Sequence, residues 1–366
     1  MFDRRYLSHF DWILLAIVLV IMALGVVNLY SASATLTKGG GIFYLKQLNW
    51  YIIGLFFMFL LLLVDYRWFY KWAPILYIVC LVSLVLVLFI GKEVGGGRRW
   101  LSLGFANVQP SEFAKLATVI ALASYFYRRD PAEGYGLKDL IFPTILVLVP
   151  ALLIMEEPDL GTAGLLFLIY ASMLLLIRIR WPVLISMALG TLLSLPILWL
   201  NLKPYQRRRI EIFLRPELDP LGSGYHVIQS KIAVGSGGMF GRGYLSGTQS
   251  RLNFLPERHT DFAFSVFAEE WGFLGAVGVI GLYLLLLIRG LSIAARSKER
   301  FGSFLAFGIV AMIFWQAVIN IAMVVGMMPV VGIPLPLFSY GGSSVLTTMI
   351  GIGLLLNIRM RRFMFQ

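Results

Sequence analysis

Residues 224–272 read GYHVIQSKIAVGSGGMFGRGYLSGTQSRLNFLPERHTDFAFSVFAEEWG, a polar, glycine-rich passage in a chain that is otherwise mostly apolar. His226, Lys231, Arg242, Arg251, Glu257, Arg258, His259 and Asp261 crowd into it, just ahead of an apolar run that starts near Phe262. Ionisable groups gathered at the mouth of such a run mark the place to look for chemistry. The rest of the chain reads as the frame that holds this passage at a membrane surface.

A mean hydropathy of +0.83 goes with 59% hydrophobic and only 14% charged residues, against roughly 25% charged in ordinary soluble domains. Apolar segments at about 11–30, 50–64, 73–90, 111–126, 140–155, 160–177, 182–199, 262–288, 302–326 and 341–358 predict an all-α polytopic membrane protein. That makes about ten transmembrane helices of roughly 20 residues each, with one long loop, about 200–261, between helices 7 and 8. The 366 residues are nearly filled by these elements, so a single transmembrane domain over residues 1–366 is expected. The first segment follows Arg4 and Arg5 like a signal peptide, but its apolar run exceeds a typical h-region and reads as an anchor.

Lys and Arg fall unevenly across the short connections. Arg4, Arg5, Arg67, Lys71, Arg128, Arg129, Lys138, Arg178, Arg180, Arg289, Arg296, Lys298, Arg300, Arg359, Arg361 and Arg362, sixteen in all, fall on one side. The other holds five: Lys38, Lys46, Lys92, Arg98 and Arg99. The positive-inside rule then puts both termini in the cytoplasm and the long loop outside. The net charge of +12 is thereby read as topology, without a nucleic-acid partner.

Several function classes find no support. No GxxxxGK[ST] motif is present, and GSGGMFGRG (235–243) lacks the strand-and-helix setting of a dinucleotide fingerprint. His9, His226 and His259 share no ligand spacing, and the lone Cys80 excludes an internal disulfide.

Other polar stretches compete with bland explanations. GKEVGGGRRWLSLGFANVQPSEFAKLA (91–117) places Arg98 and Arg99 after three glycines, suited either to phosphate recognition or to an interfacial turn. Glu112 and Lys115 share a helical face; an isolated charge in the bilayer costs at least about 2.5 kcal/mol, so the two are expected to pair at a cavity or as a packing device. MEEPDLGTAG (155–164) sets Glu156, Glu157 and Asp159 at one level, where Asp159 also suits a helix N-terminus. GMMPVVGIPLPLFSYGGSS (326–344), which ends near Ser343, is irregular backbone of a kind tolerated only within protein or beside water. Arg207, Arg208 and Arg209 could bind substrate or lipid headgroups. Asp261, beside Arg258 and His259, could be a general base or a helix cap.

Taken together and in order, NVQPSEFAKLA, EEPDLGTA, GYHVIQSKIAVGSGGMFGRG, LPERHTDFAFSVFAEEWG and PLFSYGGSS closely resemble the shape, elongation, division and sporulation (SEDS) family. Arg258 within ERHTD and the short leader are similar to the elongation branch more than to the division branch. The resemblance implies a peptidoglycan glycosyltransferase that polymerises lipid II at the outer face of the bacterial cytoplasmic membrane, with undecaprenyl diphosphate leaving. It further implies Asp261 as base and a cavity or substrate-binding set drawn from Glu112, Lys115, Asp159, Arg98, Arg99, Arg207, Arg208, Lys231, Arg242, Arg258, His259 and Ser343. A class B penicillin-binding protein, a transpeptidase of the elongation machinery, is the implied partner, alongside membrane lipids. A divalent cation, Mg or Mn, enters only through the family, since the sequence shows no metal site. A lipid II flippase, and a scaffold without chemistry, are the alternative readings.

Overall fold

A computed structural model of the chain describes residues 10–362 apart from 35–39, 95–96, 103, 105–106, 202–203, 220–221, 253 and 256. Arg4, Arg5, His9 and Lys38 lie outside the described residues. The helices are α1 (Trp12–Ser33), α2 (Gly40–Leu63), α3 (Arg67–Ile90), α4 (Pro110–Arg128), α5 (Leu137–Glu156), α6 (Leu160–Leu174) and α7 (Trp181–Asn201). There follow α8 (Pro204–Leu214), α9 (Ser223–Ser236), α10 (Ala263–Arg296), α11 (Arg300–Val324) and α12 (Gly342–Arg361).

Each predicted segment has a helix, but the boundaries differ. Among the described residues seven helices, α1, α2, α3, α5, α10, α11 and α12, are long and apolar enough to cross a membrane. Of the other three, α6 is only 15 residues long and α4 carries Glu112 and Lys115, so a count of ten spans remains a reading of the sequence.

Burial sorts these helices into shells. In α11 and α12, 72% and 83% of the apolar window is inside the protein, whereas in α2, α3 and α10 it is 28%. Ile52, Phe56, Ile78, Val79, Leu284 and Ile288 are accordingly exposed as a lipid-facing surface. In the centre α4 packs against α3, α11 and α12. Close approach is bought locally by glycine: a Cβ on Gly353 would lie 2.9 Å from the Met58 carbonyl oxygen of α2.

One end of the bundle is tied electrostatically. Asp11 caps α1 by accepting from the Leu14 N–H at 3.1 Å, and it also binds Arg289 of α10 at 2.9 Å and Arg359 of α12 at 2.6 Å. This buried carboxylate gathers three helix ends, all on the basic side of the charge count.

Three expectations are corrected. The connection after α3 is an antiparallel ribbon, β1 (Lys92–Val94), β2 (Gly97–Ser102) and β3 (Asn107–Val108), with Lys92 opposite Trp100 and Leu101 opposite Val108. Strands this short carry no readable alternation, so the glycines and arginines looked like a turn. Residues 200–261 are not all loop: they hold α8, α9 and a single helical turn at Thr248–Arg251, with 237–247 outside any helix. The run from Phe262 continues to Arg296 but breaks at Gly272, whose φ of +67° is left-handed.

That break explains the glycine-rich passage. Arg242 and Gly243 donate backbone N–H groups to the Glu269 and Glu270 carbonyls, and Phe273 and Leu274 donate to the Gly238 and Met239 carbonyls. The loop thus satisfies both interrupted ends of α10, which apolar surroundings would otherwise leave costly. A Cβ on Gly272 would lie 2.2 Å from the Gly241 nitrogen, so both positions require glycine.

Candidate active site

Asp261 stands at the end of a tight turn that leads into α10, where the Thr260 and Phe262 N–H groups donate to the Glu257 carbonyl. The turn is held from two sides. Asn320 of α11 donates to the Asp261 carbonyl at 2.9 Å, and Tyr340 N–H donates to the His259 carbonyl at 2.9 Å. Burial pushes the Asp261 carboxyl up to about 7, and the charges of Glu257 and Asp159 push the same way against Arg99 and Arg209. A carboxylate poised near neutrality can accept a proton and give it up again.

Asp159 lies within electrostatic reach of Asp261 as the N-cap of α6, accepting from Thr162 N–H at 3.0 Å and Thr162 Oγ1 at 2.8 Å. Gln109, just before α4, extends Nε2 toward Asp159 at 3.5 Å and donates its N–H to Ser343 Oγ at 2.9 Å. Ser343, at the start of α12, therefore belongs to the same side of the protein. Arg99 of β2 donates to the carbonyls of Glu157 and Pro158, fastening the ribbon over the α5–α6 turn. Glu157 is fully buried, and neither carboxylate oxygen has a hydrogen-bond partner among the described residues. Burial first and Asp159 second push its carboxyl up to about 8, with Arg99 opposing.

One turn into α4, Lys115 Nζ binds Glu112 Oε1 at 2.7 Å, both side chains being buried. Glu112 Oε2, Ser111 Oγ, Thr118 Oγ1, Gln316 Oε1, Ser344 Oγ and Thr347 Oγ1 are buried without partners among the described residues. They come from α4, α11 and α12, three helices in mutual contact. The interior behind the Gln109–Ser343 contact is therefore polar.

Other predicted residues are placed elsewhere or serve the frame. Arg98 is exposed on the ribbon opposite Glu93. Arg207 donates to the Leu200 carbonyl, and Arg208 lies 3.9 Å from Asp219. Lys231 runs over Gly326, where an added Cβ would strike its stem. Arg242 donates to the Ser236 carbonyl and to Thr248 Oγ1, bracing the glycine-rich loop. Arg258 is buried, and that burial lowers its pKa. His259, lowered by burial against the opposing charge of Glu257, packs against Phe43 at 4.6 Å between ring centres.

Asn320, Gln109 and Gly332 were not anticipated. An asparagine late in an apolar helix was the available signal for the first. Among the described residues no three carboxylate, imidazole or thiol groups converge as a metal cage. Asp159 and Asp261 leave at most the two-carboxylate set of a cation that draws its other oxygens from phosphate.

The family model FTSW_RODA_SPOVE, described as cell cycle protein, matches residues 11–363. The chain belongs to this family. The FTSW_RODA_SPOVE match covers every element described above, from the Asp11 cap to the end of α12. Similar relatives include the peptidoglycan glycosyltransferase MrdB of Escherichia coli (strain K12), 42% identical over 98% of this chain and 95% of the relative. Another is the peptidoglycan glycosyltransferase RodA of Treponema pallidum (strain Nichols), 34% identical over 98% and 99%. A solved structure described as "Structural coordination of polymerization and crosslinking by a peptidoglycan synthase complex" superposes with a TM-score of 0.83 at 38% identity, covering 97% of this chain and 98% of that one. Rod shape determining protein RodA of Thermus thermophilus superposes with a TM-score of 0.73 at 33% identity, over 97% and 98%. At these identities over nearly the whole chain, the fold is the family's membrane fold.

Proposed function

We propose that this chain is a peptidoglycan glycosyltransferase in which Asp261 is the general base. The observation that carries the assignment is the Asp261 carboxyl, brought to about 7 in a turn anchored by α11 and within electrostatic reach of Asp159. In the reaction the acceptor sugar 4-hydroxyl attacks the anomeric carbon of lipid II. A carbon–oxygen bond forms to the acceptor while the bond to undecaprenyl diphosphate breaks, and the hydroxyl proton passes to Asp261. Arg99 and Arg209, whose charges already act on Asp261, are placed to oppose the negative charge that develops on the leaving group. A divalent cation, Mg or Mn, belongs to this proposal as an additional neutralising charge held with the diphosphate.

The site fits the end of the bundle opposite the Asp11–Arg289–Arg359 cluster, since Asp261 lies just before the start of α10 and Arg289 lies toward its far end. The basic end fits the cytoplasmic side and the site the outer side. The partner in this reading is a class B penicillin-binding protein of the elongation machinery, which supplies cross-linking.

The test is polymerisation of labelled lipid II by purified protein with its partner. Asp261→Asn keeps size and hydrogen-bonding capacity but loses basicity, and should reduce chain formation by about 10²- to 10⁴-fold or more. Near-normal polymerisation by the folded variant would refute the base. Translocation across vesicles without chain formation by the unaltered protein would favour transport.

A further inference from the structure

Between Val324 and Gly342 the chain forms no helix or strand, and Pro329, Pro334 and Pro336 remove backbone donors from it. Such a segment holds its place only if other groups take its carbonyls. In its second half they do: Tyr283 donates to the Pro336 carbonyl, Tyr51 to Leu337 and Gln47 Nε2 to Ser339. In its first half the donor is Asn320. Its Nδ2 donates to the Ile333 carbonyl at 2.8 Å and to the Asp261 carbonyl at 2.9 Å.

An amide nitrogen carries two protons, and here each has its own acceptor. Carbonyl oxygens only accept, so the nitrogen must be the atom that faces them. Asn320 is wholly buried, one helical turn before the end of α11, with its Oδ1 lacking a partner among the described residues, so the two bonds from Nδ2 are what hold the amide there. Its bridge has a geometric consequence beside it. Gly332, immediately before Ile333, adopts φ +75°, and a Cβ there would lie 3.5 Å from Asp261 Oδ2. The bridge to Ile333 therefore holds the backbone of the proline-rich segment beside the Asp261 carboxylate.

We infer that Asn320 is a positioning residue for the glycosyl-transfer step: it locks the turn bearing Asp261 to the Ile333 segment, so that the base and the wall beside it stay in register. This rests on Asp261 being the base. Asn320 makes no contact with the carboxylate itself; it acts on the backbone to either side.

Truncation of this side chain and introduction of a negative charge at it should act in opposite directions on the protonation of Asp261. In Asn320→Ala the segment is released, water reaches the carboxylate, and the acid limb of the pH–rate profile moves to lower pH. In Asn320→Asp the donor is replaced by a second carboxylate beside the base, and the limb moves to higher pH. In both, kcat should fall by about tenfold to a hundredfold from misplacement of the base, with KM nearly unchanged. A residue that merely stabilises the fold would not shift the limb in opposite senses.

The experiment measures lipid II polymerisation from pH 5.5 to 9 by the full chain with its transpeptidase partner, for wild type and both variants, with Asp261→Asn in parallel. Opposed limb shifts with reduced kcat support the assignment. Unchanged limbs, or a raised KM with kcat intact, overturn it. Asn320→Gln retains the amide one methylene out of place. If the Ala or Asp variant fails to fold, wild-type kinetics in the Gln variant overturn the assignment, and a lowered kcat with a displaced limb supports it. If Asp261→Asn polymerises normally, the base itself is wrong; if it is inactive while the Asn320 variants behave as wild type, only the positioning role is lost.

Discussion

Arg99 reaches from the β2 ribbon to the turn between α5 and α6, donating from Nε to the carbonyl oxygen of Glu157 at 2.9 Å. Its second donor reaches the neighbouring Pro158 carbonyl, so the planar fork grips two successive peptide groups. A guanidinium in this position both fixes the ribbon and lowers the pKa of two carboxyls, Asp261 and Glu157.

Replacing Arg99 by Ala should therefore shift the acid limb of polymerisation to higher pH, because Asp261 loses a charge that favours its ionised form. Arg99→Lys should restore the limb more than the rate, since an ammonium supplies charge without the fork. The pH–rate profiles of the two variants check this; an unshifted limb in the Ala variant would show that Arg99 is structural only.

Lys115 and Glu112 form a buried pair at 2.7 Å. Lys115→Met leaves a carboxylate buried with no charge partner, which is expected to cost about 3–5 kcal/mol of stability and to abolish polymerisation while the protein still inserts. Adding Glu112→Gln should recover much of the stability without recovering activity. Thermal unfolding and polymerisation measured on the same preparations separate the two effects. Full activity in either variant would leave the pair a packing device.

The helical class and the approximate positions of the ten apolar helices were legible because apolar runs of the required length are an unambiguous signal; α8 and α9, which are shorter and more polar, were not. Asp261 was singled out only through the family resemblance, since a carboxylate at the mouth of an apolar run also occurs at Asp11 and Asp159, where it caps a helix. The ribbon around Arg99 was not, since three-residue strands have no period to detect. The break at Gly272 was hidden too. A single glycine inside an apolar run also occurs at Gly278 and Gly281, where a Cβ would meet nothing within 4 Å. Only the long-range bonds of the 238–243 loop distinguish Gly272. Arg242, which the resemblance offered as a ligand group, instead donates along its own loop to Ser236 and Thr248 while staying exposed.

Gly272→Ala should destabilise strongly. The left-handed φ costs about 1–3 kcal/mol for a residue with a side chain, and the added methyl would overlap the Gly241 nitrogen. Gly278→Ala, in open space on the same helix, should be close to neutral or slightly stabilising. The difference in thermal midpoint between the two variants in detergent measures the requirement; equal midpoints would mean that α10 can run straight through.

Glu157 provides the sharpest test of the site's electrostatics. Its carboxyl ionises at about 8 in the folded protein, against 4.5 for an unperturbed glutamate. Between those values the folded state holds a proton that the unfolded chain has released, so folding takes up a proton. Stability must then fall as pH rises through this window, by about 1.4 kcal/mol per pH unit for this one group. Glu157→Gln has the shape of the protonated acid and nothing to titrate, so its contribution stays flat. The variant should match wild type near pH 4.5 and become progressively more stable than wild type up to pH 8, with polymerisation largely retained. Thermal midpoints of both proteins across this range supply the measurement. Other titrating groups, Asp261 among them, are common to both proteins and cancel in the difference. Were Glu157 instead ionised and paired with Arg99, the Gln variant would lose stability at neutral pH, and the sign of the difference would reverse.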